Sequence, residues 1–337
     1  MKRFMGIICM LLIVLIFTLP LVAGGDSTPC RTKYPIVLIH GFLFKSDNLL
    51  GIDYWWGIPG ALSSEGAQVY QTTSNSTFNH ALKRAESDRA ELLYLFAACP
   101  EWGKYEKINI IAHSQGAQDS RILIHDGIKG IIGGKAIQIK IASLTTISGV
   151  NNGSPVADAI FKLLPEGSFQ RLLVSEAINA FCWLFYFDDK NADSLSACRS
   201  MSVDYVVNVL NKNYPAGNPA VSPSGYTSTP VNGPVYIQSY AGRIRNALLA
   251  PLDVMIAVPL WLFVKSVPES LMGGENDCLV GVNAAKWGRY RETLEGPAWG
   301  GGVTHFNEIG HFFGITPWFN APQFYVKVVR ELKTMGF

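Results

Sequence analysis

Ser114 stands in the run Ala112-His113-Ser114-Gln115-Gly116, a serine with a small residue two positions before it and two after it. No other stretch of the chain matches this form of the G-x-S-x-G pattern, here with alanine in the first place. The spacing suits a serine at a sharp strand-to-helix turn, where small flanking residues let neighbouring backbones approach. The alternative is an ordinary turn in which Ser114 caps the helix that follows. A nucleophilic serine hydroxyl needs an imidazole base and an acid to orient it, and in this type of turn the acid and then the histidine follow the serine in the chain. Three histidines come later: His125, His305 and His311. His125 falls about three turns along the helix that carries Ser114, so it cannot reach. Position leans toward His305 and leaves His311 open. Asp277, in the glycine-flanked turn GGENDCLVG (273–281), is the candidate acid, with Glu275 and Asp253 as rivals. Two backbone N–H groups must face the developing oxyanion, and Gln115 and Phe42 are placed to supply them.

The elements around these residues read as strands alternating with helices. Pro35 to His40, Ile108 to Ala112, a segment within Ala136 to Ser148, and Val235 to Ala241 are short apolar runs suited to buried parallel strands. The spacing predicts a helix from Gln115 to His125 and an amphipathic helix from Ala81 to Ala98. In the latter, Leu82, Ala85, Leu92, Leu93 and Phe96 form one face, with Lys83, Arg84, Glu86, Asp88 and Arg89 mostly opposite. Such an order implies a mostly parallel α/β sheet with helices on both faces. Tyr214 to Pro234 reads as a long loop. Ala177 to Phe187 and Val254 to Val264 are almost wholly apolar, too short to span a bilayer, and read as core helices or as something more exposed.

Of the 337 residues, 48% are hydrophobic and 16% charged, which excludes a disordered chain. The net charge of +2 comes without a cluster of Lys and Arg, so nucleic acid is not an expected partner. Residues 1–24 have the layout of a signal peptide: Lys2 and Arg3, an apolar run from Gly6 to Val22, then Ala23, Gly24 and Gly25. An uncleaved N-terminal membrane anchor is the alternative. Residues 25–337 are expected to form one domain. Cys30, Cys99, Cys182, Cys198 and Cys278 follow the leader in no zinc-binding spacing, and an odd count leaves at least one thiol unpaired.

YPIVLIHGF (34–42), the continuation DNLLGIDYWWGIP and EGAQVY, AHSQG at Ser114, SGVNNGSPVAD (148–158), ENDCLVG around Asp277 and THFNEIGHFFGI from Thr304 together resemble the bacterial true lipases of the Pseudomonas and Burkholderia type. The resemblance runs from about residue 34 to about residue 320. It implies an α/β-hydrolase fold, a triad of Ser114, Asp277 and His305, and an oxyanion hole from Phe42 and Gln115. It also implies a helical lid near residues 167–188, with Val254 to Val264 lining its other side and a lipid or ester interface as substrate. A short-chain esterase, a phospholipase or a polyester depolymerase would use the same fold, and a non-catalytic lipid-binding protein is the reading from another class. The chemistry requires no cofactor. The family holds a structural calcium near the catalytic histidine, which would fall here on Asp253, Asn307, His311 and Ile315. The loop offers Asn307 and His311 where the family has a second acid and a glutamine. Asn283 stands where the family has a disulfide cysteine, and many members depend on a dedicated lipase foldase.

Overall fold

The run after Pro35 forms β1 (Ile36–Ile39), all four residues buried, as a strand covered on both faces must be. The computed structural model describes residues 28–42, 53–73, 78–163, 193–249, 254–311 and 313–337. The leader, the expected lid at 167–188, Asp253 and Cys182 lie outside these residues. From β1 the sheet extends through β2 (Val69–Gln71) on one side and β3 (Lys107–His113) on the other. Next to β3 lies the later part of the long β5 (Lys135–Ile147), whose first part forms an antiparallel hairpin with β4 (Ile128–Ile132). Beyond β5, β6 (Tyr226–Thr229) pairs antiparallel with β7 (Gly233–Gly242), while β8 (Arg289–Leu294) pairs parallel with the later residues of β7. The main order is β2-β1-β3-β5-β7-β6, with the central pairs β1–β3, β3–β5 and β5–β7 all parallel.

Alternate residues of β1 feed opposite cores, as the two-residue period of a strand requires. Val37 and Ile39 join Ala85, Leu92 and Phe96 of α2 (Ala81–Ala98) and Ile122 to Ile124. Ile36 and Leu38 join Ile58 and Leu62 of α1 (Ile58–Ser64) and Phe324, Val328 and Leu332 of the C-terminal helix. The helices on the two faces are therefore α2 with α3 (Gly116–Asp126), and α1 with the C-terminal helix. Further along the chain, α4 (Pro155–Leu163), α5 (Ser194–Met201) and α6 (Val254–Ser266) precede that C-terminal helix, α7 (Ala321–Thr334). At the start of β1, the Lys33 N–H donates to the carbonyl of Phe337 at 2.7 Å, and Lys333 Nζ donates to the carbonyl of Thr28 at 2.9 Å.

Two expectations are corrected. Leu82 is 43% exposed while Arg84 and Asp88 of α2 are fully buried. The face is inverted there because Arg84 finds a carboxyl partner, Asp119, on α3, which lets a guanidinium enter the core. The stretch from Tyr214 to Pro234 is not one loop, since Tyr226 to Thr229 supply the edge strand β6, folded onto β7 around Gly233. The apolar segment at 254–264 is helical with Pro259 inside it, burying Ala257 and Val264 while Leu262 and Phe263 face outward. Among the described residues no helix is long and apolar enough to cross a membrane, and no disulfide joins two described cysteines.

Candidate active site

The C-terminal ends of β1, β3, β5 and β7 lie along one rim of the sheet, and the residues singled out in the sequence converge there. Ser114 follows the last residue of β3 and precedes α3, with φ of 55°. A non-glycine residue in this region carries strain of roughly 1–3 kcal/mol, which the surroundings must offset. They do so through backbone bonds: the Ser114 N–H donates to the Ile147 carbonyl at 3.1 Å, and the Ser114 carbonyl accepts from Val150 and Ala117. The small neighbours are required by crowding. A Cβ on Gly116 would lie 2.5 Å from the Ile39 carbonyl oxygen, and one on Gly41 would lie 2.6 Å from the Ser114 Cβ.

His305 and Ser114 line one cavity of about 170 Å³, walled by Val150, Val156, Met201, Leu279, Val280 and Phe306 among others. No hydrogen bond joins Ser114 Oγ to His305 Nε2, a contact that in hydrolases often tightens only with substrate bound. His305 Nδ1 donates to Asp277 Oδ2 at 2.7 Å, and the His305 N–H donates to the Asp277 carbonyl at 2.9 Å. Asp277 is fully buried, and its other oxygen accepts from the N–H groups of Leu279 and Val280 at 2.9 and 2.7 Å. The carboxylate is thus aimed at His305 by a tight turn.

Phe42 lines the same cavity and packs edge-on against Phe78, with ring centroids 5.0 Å apart. Gln115 opens α3, and its side chain is tied to the Asn79 carbonyl and to Ser200 Oγ. Among the described residues, neither the Phe42 nor the Gln115 amide N–H donates a hydrogen bond. Two uncommitted donors beside Ser114 suit a developing oxyanion.

The other candidates go elsewhere. His125 sits at the far end of α3 beside Asp126, and Glu275 pairs with Arg243 at 3.7 Å. His311 is turned away from Ser114; its Nε2–H donates to the Asp53 carbonyl at 2.6 Å. Asn307 Nδ2 donates to the His311 carbonyl at 2.8 Å, and Ile315 is 51% exposed. Asp253 is outside the described residues.

Sequence reasoning missed two buried polar groups. Glu308, three residues after His305, accepts from Ser148 Oγ at 2.7 Å and lies 3.0 Å from His113 Nε2, whose Nδ1 is 2.6 Å from Tyr54 Oη. The rings of His113 and His305 are 4.4 Å apart. Burial, then the nearby Asp277, pushes Glu308 well above the usual carboxylate range; burial, then His305, holds His113 well below the usual imidazole range. The His113 ring thus bridges Glu308 on one nitrogen and Tyr54 on the other. The second group is the fully buried pair of Arg84 Nε and Asp119 Oδ2, 2.8 Å apart, joining α2 to α3. Arg84 also donates to the His40 carbonyl at 2.6 Å, next to Gly41 and Phe42. The sequence did hold signals: an acid inside the apolar run THFNEIGHFF, and an Arg84/Asp88 pair one turn apart.

Residues 33–194 match the family model described as Lipase (class 2). A triacylglycerol lipase of Vibrio cholerae is 32% identical over 68% of this chain and 69% of its own length. One from Burkholderia plantarii is 28% identical over 63% of this chain and 57% of its own length, and one from Pseudomonas fragi is 26% identical over 91% and 98%. Among solved structures, EstA from Clostridium botulinum superposes with a TM-score of 0.55 at 18% identity, over 94% of this chain and 90% of that one, a likeness of fold. The sequence relatives and the parallel sheet agree: this chain belongs to the bacterial class 2 lipases and is an ester hydrolase of the α/β-hydrolase fold.

Proposed function

We propose that the protein is an exported triacylglycerol lipase whose nucleophile is Ser114. His305 Nε2 takes the Ser114 proton as Oγ attacks the ester carbonyl, and the oxyanion is held by the N–H groups of Phe42 and Gln115. Asp277 fixes the imidazole with its proton on Nδ1 and faces the imidazolium that forms. The alcohol leaves with the proton from His305, and water then repeats the sequence on the acyl-enzyme to release the fatty acid. The observation that carries this reading is Ser114, strained at φ 55°, in one apolar cavity with a histidine bound through Nδ1 to a buried aspartate. Triacylglycerol as substrate is supported by the names of the relatives, and export by the layout of residues 1–24.

Hydrolysis of a medium-chain triglyceride should rise once the substrate passes its solubility limit, and Ser114→Ala should lower turnover by on the order of 10⁶-fold with the fold intact. Turnover kept by purified Ser114→Ala sinks the assignment, and saturation below the solubility limit indicates a soluble-ester esterase. N-terminal sequencing of protein recovered from the medium tests cleavage of the leader.

A further inference from the structure

The loop that carries His305 runs on through Asn307 and His311, the two positions at which the resemblance drawn from the sequence would put calcium ligands. Calcium takes six to eight oxygen ligands, preferably anionic. These side chains present something different. Asn307 Nδ2–H donates to the His311 carbonyl at 2.8 Å, and the amide cannot be turned over without setting oxygen against oxygen. That carbonyl thus has a positive partner supplied from within the loop. His311 offers an imidazole, and its Nε2–H is spent on the Asp53 carbonyl at 2.6 Å. The donor set at these two positions does not fit the ion.

The same bonds do the work of a cross-link. His311 ties the loop to the segment before α1, where the Trp56 N–H donates to the Ile309 carbonyl at 3.0 Å and the rings of Trp56 and His311 lie 5.9 Å apart. Between Asp53 and Trp56 stands Tyr54, bonded to His113, the residue before Ser114. A path of short contacts therefore runs from the His305 loop to the neighbour of the nucleophile.

We infer that Asn307 and His311 are positioning residues that close the His305 loop without metal, an amide N–H and an imidazole N–H standing in for calcium. The inference rests on His305 as the base, and its stability readout is independent of that reading. The test uses the full chain. For the wild type, the unfolding midpoint and the kcat on a soluble ester should be equal in chelator and in excess calcium chloride, and calorimetric titration should show no calcium binding. Asn307→Asp sets a carboxylate against the His311 carbonyl; its midpoint in chelator should fall, and calcium should raise it. His311→Ala should lower kcat roughly tenfold to a hundredfold through misplacement of His305, with KM little changed, while His311→Asn, which keeps an N–H donor, recovers part of the loss. A wild-type midpoint that drops on chelation, or calcium bound in the titration, overturns the inference even if no variant folds. An Asn307→Asp protein with the wild-type midpoint and no response to calcium overturns it as well.

Discussion

Ser114 separates two properties that usually travel together, conformational strain and chemical role. Its backbone sits at φ 55° whatever the side chain does. Alanine removes the hydroxyl and keeps the strain, whereas glycine removes both. Ser114→Gly should therefore be more stable than Ser114→Ala by about 1 kcal/mol, with both inactive. Equal stability in urea unfolding would show that the turn is not strained. Glu308 gives a second prediction at this scale. Its carboxyl is raised above its ordinary value of 4.5 in the folded protein by burial and by Asp277, so between that value and the folded pKa the unfolded chain releases a proton that the folded one retains. The stability associated with Glu308 is present in full at acid pH and is lost as pH rises through the folded value. Glu308→Gln, which mimics the protonated acid, should flatten the decline of stability on the alkaline side. An unchanged slope in unfolding free energy from pH 5 to 9 would refute the upward shift of the Glu308 carboxyl.

Helices α2 and α3 and the loop after β1 meet at Arg84. The side chain holds Asp119 on one side and the His40 carbonyl on the other, and so ties the Phe42 loop to the helix that begins behind Ser114. Burial raises Asp119 to about 7 against the pull of Arg84, and burial, then Asp119, pushes Asp88 well above the usual carboxylate range. Removing the cation alone leaves a carboxylate without compensation in the core. Arg84→Met should cost about 3–5 kcal/mol and lower kcat, and adding Asp119→Leu should restore most of the stability. A double variant no more stable than the single one would contradict the pairing.

Arg84 also marks where the sequence was hard to read. The central strands β1, β3, β5 and β7 were legible because each carries a short run rich in buried apolar residues that ends at turn residues. The edge strands β2, β6 and β8 carry mixed side chains such as Tyr-Thr-Ser-Thr and Arg-Tyr-Arg-Glu, and only pairing with a neighbour tells them from loop. In α2, charge was taken as a mark of solvent, although the ion partner lay 35 residues away on another helix. Ser114, Asp277 and His305 were recognisable because each sits in a local pattern with chemical meaning. Tyr54, His113 and Glu308 act only as a group, brought together over separations of 59 and 195 residues.

At the scale of the whole molecule, the rim bearing Ser114 and His305 is opposite the end at which β1 begins. That far end is where Lys33 meets Phe337 and Lys333 meets Thr28, so the two ends of the described chain emerge side by side behind the sheet. Whatever is attached at residue 28 or at residue 337 holds the molecule by its back. Coupled to a bead through either end, the enzyme should hydrolyse a soluble ester with the kcat/KM of the free form; a large loss would contradict this placement. A form kept on a bilayer by its N-terminal segment would turn its catalytic mouth away from that bilayer, toward lipid delivered from outside.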